Sequence, residues 1–502
     1  MKREYLLYWI ILFFGACDKN EQSEVFLKQP KIIEYSLVVN PTKLSPLTAT
    51  LYVKTDIETK VSVLIKGQDE EDLTHNFENY SNTHRIPILG LYLNYNNKVI
   101  VTLKSIDGNE LTIEETIKTD DIPWLEIKKF NPVVYQPDKV GDGFVMLHLM
   151  GTDGLNGRTG CAPVMIDKYG KIRWIYYGEI NHIFKKLSNG HYLVDGIGTG
   201  FWEIDLLGVK YGYWEVPEGI HHDGVETSDN NILFLSHAEG STDDGIIELD
   251  LKDAKYKKQW DLRKILDDSR PQAPTNGIKQ DWLHLNGIDF QKKDNSFIIS
   301  GRNQSVVAKI DRDSGKLKWI LGNHDLWPDS LKKYLLTPVG EEFEWQWGQH
   351  APIFNPNDPS RILLFDNGCE RSYMDPLPAS QNYSRVVEFK VNEASMTVEQ
   401  MWQFGKEYGS ELYSTYISNA SYLDNGNILI CYGGLTKDSN GVAVELNSSD
   451  VCNSVRVLEI IPETKKIVWD LKLEGKEGTK MGYRSYRGYK INVYNNSMGN
   501  KI

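Results

Sequence analysis

Short apolar runs alternate with turns rich in asparagine, aspartate and glycine along most of the chain. Between residues 31 and 120, apolar and polar residues alternate within the runs, for example in Ala49–Lys54 and Lys98–Leu103. A period of two is typical of strands with one buried face, and the turn residues between runs favour antiparallel connections. We therefore predict a small N-terminal β-sandwich domain over residues 31–120.

A loose repeat follows over residues 121–502. In each copy a polar turn leads into an apolar strand, and a later strand ends in tryptophan. The apolar strands are Gly143–Leu149, which is divergent, Asn189–Val194, Asp229–Leu235, Asp294–Ile299, Pro359–Phe365 and Asn425–Ile430. The tryptophans are Trp174, Trp214, Trp260, Trp319, Trp402 and Trp469. Six copies with variable spacing predict an all-β fold with a six-bladed β-propeller, rather than a large sandwich or a β-helix.

The first residues have the pattern of an export signal. Lys2 and Arg3 precede the apolar run Tyr5–Phe14, and Gly15 and Ala16 stand directly before Cys17. The run is short for a membrane span. Small residues before a cysteine resemble a bacterial lipoprotein cleavage site, with an uncleaved or ordinary signal as the alternative. We predict a signal peptide over residues 1–17, a lipidated Cys17 and a polar tether over residues 18–30. The protein would then be periplasmic or at the cell surface, lipid-anchored to a bacterial membrane.

Composition excludes some partners and leaves the cysteines open. The chain of 502 residues has a net charge of -13, which argues against a nucleic-acid surface. Beyond Cys17 there are four cysteines, and no CxxC pattern suggests a thiolate metal site. They allow three full pairings or four free thiols, and Cys431 with Cys452 is the weakly favoured pair. The four are Cys161, Cys369, Cys431 and Cys452.

Candidate chemistry lies in four polar segments. They are Gly219–Gly224 with His221 and His222, Asp281–Asn286 with His284, Ser300–Ser305 with Arg302, and Glu344–Pro352 with His350. Loops of successive blades converge on one end of a propeller channel, so we expect these residues to face one another. An arginine and an amide beside histidines favour an anion site. A zinc site made of three histidines, His222, His284 and His350, is the alternative. Adjacent residues of an extended chain point to opposite faces, so only one of His221 and His222 is expected to face the pocket.

In this order, the four segments closely resemble motifs of the bacterial arylsulfate sulfotransferases, and the resemblance spans most of the chain. It implies that a sulfuryl group moves from a phenolic sulfate ester to a phenolic acceptor, with no nucleotide donor, cofactor or metal. It also implies ping-pong kinetics through a sulfohistidine at His350. His222, His284, Arg302 and the substrate-binding residue Asn286 would surround the sulfuryl oxygens. The sequence does not determine the oligomeric state, and a homodimer is compatible with it.

Elementary chemistry agrees with these roles. A neutral imidazole is a competent nucleophile near pH 7, because its unperturbed pKa is ~6.5. Arg302 offers a fixed charge and a planar fork of donors for the sulfuryl oxygens. His222 or His284 could protonate the departing phenolate. The aromatic residues Trp282, Trp345, Trp347 and Tyr408 are candidates for the substrate pocket, although the plain core is the commoner place for such residues.

Two other functions remain open. One is a surface propeller lipoprotein that binds glycan or protein without catalysis, since propellers host many functions. The other is a metal- or quinone-dependent periplasmic enzyme that uses the histidines as ligands. A nucleotide-dependent sulfotransferase is disfavoured, because the chain has no Gly-x4-Gly-Lys phosphate loop.

Overall fold

The computed structural model describes residues 28–68, 70–196, 199–271, 281–369, 371–372 and 375–494. The predicted signal peptide, Cys17 and most of the tether lie outside these residues. Within them, one short helix, α1 (Leu262–Leu266), and three 3-10 segments accompany the strands, at Lys332–Tyr334, Ala379–Gln381 and Lys406–Leu412. No helix in this part of the chain is long and apolar enough to cross a membrane. The predicted all-β class is confirmed.

Five antiparallel strands build the N-terminal domain. They are β1 (Ile32–Val39), β2 (Thr48–Ile65), β3 (Leu73–Leu89), β4 (Asn96–Ser105) and β5 (Glu110–Lys118). The register of β2 against β3 shifts between Lys54 and Thr59. β1 pairs with β2 before this shift and β4 pairs with β2 after it. Alternate residues of β2 and β4 are buried, so the predicted period of two places the apolar residues on one face.

Strands of the remaining described chain form six more sheets. In chain order they are β6 (Val133–Val134), β7 (Phe144–Asp153), β8 (Asn156–Arg158), β9 (Val164–Ile166), β10 (Ile172–Ile175), β11 (Phe184–Lys186), β12 (Tyr192–Asp195), β13 (Gly200–Ile204), β14 (Lys210–Glu215), β15 (Ile220–Glu226), β16 (Asn231–Ala238), β17 (Ser241–Asp250), β18 (Lys255–Asp261), β19 (Leu285–Gln291), β20 (Ser296–Gly301), β21 (Val306–Asp311), β22 (Leu317–Leu321), β23 (Thr337–Val339), β24 (His350–Phe354), β25 (Arg361–Asp366), β26 (Arg385–Asn392), β27 (Thr397–Phe404), β28 (Asn419–Tyr422), β29 (Ile428–Lys437), β30 (Cys452–Ile461), β31 (Lys466–Leu473) and β32 (Met481–Ile491).

Each sheet has a core of four antiparallel strands. The sheets are β11–β14, β15–β18, β19–β22, β24–β27 with β23 beside β27, β28–β31 with β6 beside β31, and β7, β9 and β10 with β32, where β8 also pairs with β7. Each apolar strand of the predicted repeat lies in a different sheet. Each of the six tryptophans lies on the last strand in chain order of its sheet, counting β10 as the last of β7–β10. Each copy of the sequence repeat therefore corresponds to one sheet.

Contacts between the inner strands, and the pairing of the last strand with the first sheet, define the centre of this assembly. The first strands of successive sheets, β15, β19, β24 and β28, contact one another in turn, and β28 contacts β32. β32 also pairs with β7, so the end of the described chain completes the first sheet. The starts of these inner strands are therefore close in space although they are distant in sequence.

No disulfide bond joins any two of the four cysteines in the described residues. Cys431 and Cys452 do lie on the neighbouring strands β29 and β30. The register, however, places Cys431 opposite Val457 and Cys452 opposite Lys437. The weakly favoured disulfide is therefore absent, because the two cysteines are not cross-strand neighbours.

Candidate functional site

Three of the five predicted site residues lie near the starts of inner strands rather than in loops. His222 belongs to β15, Asn286 to β19, and His350 is the first residue of β24. His284 directly precedes β19, and Arg302 directly follows β20. The expected convergence is observed for these elements, but the expected loop positions are wrong for three of the five residues.

The pairing of each of these inner strands is interrupted at or next to its histidine. The register of pairing shifts between Ile220 and Gly224, between Leu285 and Gly287, and between His350 and Ile353. A residue with positive φ accompanies each shift, namely His222 (58°), His284 (52°) and Ala351 (51°). Bulges change the direction of side chains. A left-handed backbone costs energy at a non-glycine residue, and residues with this conformation cluster at functional sites, where the surrounding structure holds them in place. A register shift with a residue of positive φ therefore recurs in three neighbouring sheets.

His221 and His222 form a hydrogen-bonded pair, which corrects the expectation that they point to opposite faces. Their Nδ1 atoms lie 2.8 Å apart. The left-handed backbone at His222 breaks the alternation of an extended chain. His221 Nε2 lies 3.0 Å from the carbonyl of Ser236, which only accepts, so Nε2–H is the donor. The Nδ1 of neutral His221 therefore accepts from His222 Nδ1–H, which leaves the Nε2 of neutral His222 without a proton.

Several imidazoles surround His222. Its ring centroid lies 4.9 Å from that of His284 and 4.9 Å from that of His182. Burial, followed by the charge of a protonated His284, lowers the pKa of His222 well below 6.5. His222 is therefore neutral at pH 7.

His284 faces two carboxylates. Its Nδ1 lies 2.8 Å from Asp281 Oδ2 and 3.6 Å from Asp243 Oδ2. The backbone N–H of His284 donates to Asp244 Oδ1 at 3.2 Å, which fixes the start of β19. The Asp281 contact orients the ring so that Nδ1 is occupied and Nε2 is left for another partner.

Arg302 is tied to the same segment by backbone and side chain. Its backbone N–H donates to the carbonyl of His284 at 3.1 Å. Its Nη1 donates to Asn303 Oδ1 at 3.0 Å, and Asn303 Nδ2 donates to the carbonyl of Asp281 at 2.7 Å. These hydrogen bonds therefore hold the turn after β20, which contains Arg302, against the His284 segment.

His350 is buried, with 3% of its surface exposed. Its Nδ1 lies 2.7 Å from Oδ1 of Asn367. Burial, and next the positive charge of Arg302, lower the pKa of His350 well below 6.5, although the hydrogen bond to Asn367 opposes them. His350 is therefore neutral at pH 7, as a nitrogen nucleophile must be.

The segment before His350 is held by hydrogen bonds to neighbouring strands. Asn286 Nδ2 donates to the carbonyl of Gln349 at 2.8 Å, and Ser300 Oγ donates to it at 3.1 Å. Gly348 has a φ of 55°, and a Cβ at this position would lie 2.0 Å from Cys369 Sγ. Asn286 therefore anchors the backbone of the histidine segment, which is a structural contact in addition to the substrate contact implied by the sequence.

Several residues at the centre were not predicted from any sequence pattern. The ring of His182 stacks on His222, and the Tyr486 ring meets His182 edge-on at 4.7 Å. Arg487 donates to Asp223 Oδ2 at 2.9 Å and to the carbonyl of Asn286 at 3.0 Å. Tyr486 and Arg487 reach the centre only because β32 completes the first sheet. Asn367, the partner of His350, was also missed.

Metal-ligand types also occur here. Two groups of the described residues have donor atoms within 4.8 Å of one another: His221, His222 and Asp243, and Asp243, Asp281 and His284. Neither group includes His350, which the alternative zinc site required. Hydrogen bonds of 2.8 Å already join His221 to His222 and His284 to Asp281. A hydrogen-bonded network therefore accounts for the arrangement of these side chains.

A cavity of about 540 Å³ lies beside Arg302. Its walls are largely apolar and are formed by Leu155, Pro376, Leu377, Pro378 and Leu446. The other lining residues are Cys369, Thr415, Glu445 and Asn447. The Cys369 thiol also contacts the carbonyl of Gly348 at 3.8 Å, which links the cavity to the His350 segment. The cavity combines a cation with an apolar wall, the surroundings that an aryl ester of an acid requires.

The aromatic residues considered for a substrate pocket are buried or half-buried and contact apolar neighbours or core residues. Trp282 lies in the apolar cluster around β19–β22 and donates to the carbonyl of Arg270 at 2.8 Å. Trp345 and Trp347 pack together. Tyr408 packs on Phe404, with the ring centroids 5.6 Å apart. None of these four residues lines the cavity beside Arg302.

Comparison with known proteins gives consistent matches. The family model described as Arylsulfotransferase (ASST) matches residues 131–484, and the Arylsulfotransferase Ig-like domain matches residues 36–121. Arylsulfate sulfotransferase AssT of Escherichia coli O6:H1 (strain CFT073) is 26% identical over 516 aligned positions, covering 80% of this chain and 84% of that protein. The protein of the same name from Lelliottia amnigena is 25% identical, with the same coverage of 80% and 84%.

Solved structures resemble the chain only distantly. The periplasmic gluconolactonase PpgL of Pseudomonas aeruginosa is 12% identical, covers 85% of this chain and 99% of its own, and has a TM-score of 0.34, too low to bear on function. Fold and site define an all-β protein whose inner strands bring histidines and an arginine together. With the match over residues 131–484, the chain belongs to the arylsulfotransferase family, as its motifs predicted.

Proposed function

We propose that the protein transfers a sulfuryl group from a phenolic sulfate ester to a phenolic acceptor, and that His350 carries the group between the two half-reactions. The observation that carries this proposal is the state of His350. It is a buried imidazole kept neutral by its surroundings and lying in the field of Arg302. Family membership supports the reaction class, and the geometry supports the choice of nucleophile.

In the first half-reaction the Nε2 lone pair of His350 attacks sulfur. The N–S bond forms as the bond between sulfur and the aryl oxygen breaks, and the phenolate leaves. Negative charge develops on the departing oxygen and stays on the three sulfuryl oxygens, as in phosphoryl transfer. Arg302 supplies fixed donors for these oxygens, and Asn286 holds the backbone that positions His350.

His284 is the proton carrier best supported by its contacts. The Asp281 carboxylate accepts its Nδ1–H, so a protonated His284 directs Nε2–H away from Asp281 and donates that proton to the leaving phenolate. In the second half-reaction neutral His284 removes the proton of the acceptor phenol. The phenol oxygen attacks sulfur, the N–S bond breaks and His350 returns to its neutral state. His222 is neutral and has no proton on Nε2, so this nitrogen can only accept a hydrogen bond.

The aryl groups fit the cavity beside Arg302. Donor and acceptor use the site in turn in a ping-pong scheme, so one apolar cavity of about 540 Å³ serves both. Leu155 and Leu446 would contact the ring while the sulfate points toward Arg302. This arrangement favours single-ring phenols over aliphatic alcohols of similar length.

We further propose that the protein works outside the cytoplasm, attached to a bacterial membrane through a lipidated Cys17. The apolar run Tyr5–Phe14, followed by Gly15, Ala16 and Cys17, supports this proposal. Mass analysis of the protein purified from bacterial membranes tests it. An acylated N-terminal Cys17 is expected, and a chain that retains Met1 contradicts it.

Intact mass measured with and without an acceptor tests the proposed function. Protein mixed with 4-nitrophenyl sulfate alone should release one equivalent of nitrophenol and gain one SO3 group, and phenol should then discharge the adduct. His350→Ala should neither release nitrophenol nor gain mass. His324→Ala is the matched control, because His324 donates to the carbonyl of Leu336 and belongs to none of the contacts above. Neither release nor adduct in the wild type would favour a binding protein, and continued release without acceptor would indicate a hydrolase.

A further inference from the structure

We propose that Asn367 is a positioning residue that holds His350 in a single tautomer, with the proton on Nδ1 and the lone pair on Nε2. The proposal rests on the proposed role of His350 as nucleophile. Asn367 directly follows β25 and is fully buried, with 0% of its surface exposed. It would not touch the substrate, so it acts only through His350.

The orientation of the Asn367 amide follows from its other contacts. Nδ2 lies 2.9 Å from the carbonyl of Ser414 and 3.1 Å from the carbonyl of Ile417. Carbonyl oxygens only accept hydrogen bonds, so the NH2 group must face them. The amide oxygen, Oδ1, is therefore the atom that faces His350. The backbone is fixed as well, because Ser384 Oγ donates to the carbonyl of Asn367 at 2.6 Å.

The tautomer of His350 follows in turn. Asn367 Oδ1 lies 2.7 Å from His350 Nδ1, and an amide oxygen can only accept. Nδ1 must therefore carry the proton. In a neutral imidazole the other nitrogen is then an unprotonated nucleophile, so a rotated amide or the other tautomer would break at least one of these buried hydrogen bonds.

Charge explains why an amide suits this position. The titratable groups that act on His350 are Arg302 beside β20, His284 before β19, and Arg487 on β32, while His222 lies across the site on β15. Each is a cation or can become one. A carboxylate in place of Asn367 would add the missing opposite charge and favour the imidazolium, which has no lone pair. An amide accepts the Nδ1 hydrogen bond without adding charge.

Asn367 would also assist both half-reactions. When Nε2 attacks sulfur and the aryl oxygen departs, positive charge spreads over the ring, and the Nδ1–H bond to Asn367 strengthens. In the second half-reaction the proton that remains on Nδ1 keeps the imidazole a neutral leaving group as the N–S bond breaks. The proton on Nδ1 is never transferred, so the proton exchanged with phenol belongs to another residue.

Two substitutions separate positioning from packing. Asn367→Leu keeps the branched shape of the side chain but has neither acceptor nor donor, and Asn367→Asp keeps the acceptor and adds a charge. We expect Asn367→Leu to slow formation of the adduct at saturating donor by about 10- to 100-fold, by analogy with the hydrogen-bonding partners that orient metal-bound histidines, with little change in KM. We expect Asn367→Asp to move the acid limb of the pH–rate profile to higher pH. The matched control is Asn427→Leu, which removes a buried amide bonded to Glu459 in the turn before β29.

Nitrogen NMR of protein with 15N-labelled histidine reads the tautomer directly. The wild type should show His350 as Nδ1–H, assigned by its loss in His350→Ala, and the sulfated form should carry SO3 on Nε2. Sulfation on Nδ1, or a wild-type tautomer and rate in Asn367→Leu, would overturn the proposal while leaving the proposed function intact. No adduct on His350 in the wild type would instead defeat the proposed function. If Asn367→Leu does not fold, the wild-type spectrum and the Asn367→Asp profile still decide.

Discussion

His284 and His350 occupy corresponding places in neighbouring sheets, but the hydrogen-bonding partner of His284 is charged and that of His350 is neutral. One directly precedes β19 and the other opens β24. Each uses Nδ1 for a single short hydrogen bond, of 2.8 Å to the Asp281 carboxylate and 2.7 Å to the Asn367 amide. The same residue on the same scaffold can thus acquire different chemistry, because the charge of the acceptor determines which protonation state is favoured.

Exposure and neighbouring charge reinforce the difference. The side chain of His284 is 23% exposed and faces a second carboxylate, Asp243. His350 is only 3% exposed and lies in the field of Arg302, which disfavours a second positive charge. The His284 ring therefore lies beside two carboxylates, whereas the His350 site suits a neutral nucleophile.

Loss of the nucleophile should have the largest effect. His350→Ala removes the only atom proposed to bond to sulfur, so we expect the transfer rate to fall by about 10⁴-fold or more. The measurement is steady-state transfer from 4-nitrophenyl sulfate to phenol. Activity within tenfold of the wild type would make the two histidines interchangeable and remove the contrast between them.

Loss of the proton carrier should depend on the leaving group. His284→Ala should slow transfer from phenyl sulfate by about 10²- to 10⁴-fold, the usual contribution of a general acid. The loss should be much smaller for 4-nitrophenyl sulfate, because nitrophenolate departs without protonation. The check is the slope of log rate against the pKa of the leaving phenol. An unchanged slope would assign the proton to a residue other than His284.

Arg302→Lys should have an intermediate effect. The substitution keeps the charge but loses the planar fork, and with it the bond from Nη1 to Asn303. We expect kcat to fall by about 10- to 100-fold, less than the loss of a complete oxyanion donor can cause. Steady-state kinetics with phenol as acceptor provide the measurement. Wild-type turnover would show that Arg302 acts on His350 only through its charge.

Local pattern was sufficient to predict much of the fold. The polar turn and apolar strand of each repeat are adjacent in sequence, and so are the lysine-rich turn and Trp174, Trp319 or Trp469. The sheets that these segments form are therefore encoded within a few dozen residues. The grouping of His222, His284, Arg302 and His350 was predictable for a related reason, since each belongs to an ordered motif.

Residues whose place depends on distant pairing could not be predicted. Arg487 reaches Asp223 only through the pairing of β32 with β7. Asn367 stands in an unremarkable turn, and its role comes from the carbonyls of Ser414 and Ile417 in a later segment. His221 and His222 were wrongly predicted to point to opposite faces, because the positive φ of His222 does not show in the hydrophobic pattern.

The pH dependence should show the smallest effect. His350 must be neutral to attack, and its pKa in the folded protein lies well below 6.5, so adduct formation per folded molecule should change less than about twofold between pH 7 and 6.

Stability should respond to pH before chemistry does. Burial lowers the pKa of His148 and of His182 to about 3, so the unfolded chain binds protons near pH 6.5 that the folded chain does not. The unfolding free energy should therefore fall as the pH drops below about 6.5. Stopped-flow adduct formation and urea unfolding on the same samples separate the two quantities. An adduct rate that titrates near pH 6.5 while stability stays constant would mean that His350 is as easily protonated as an exposed histidine, which contradicts the neutral state proposed for it.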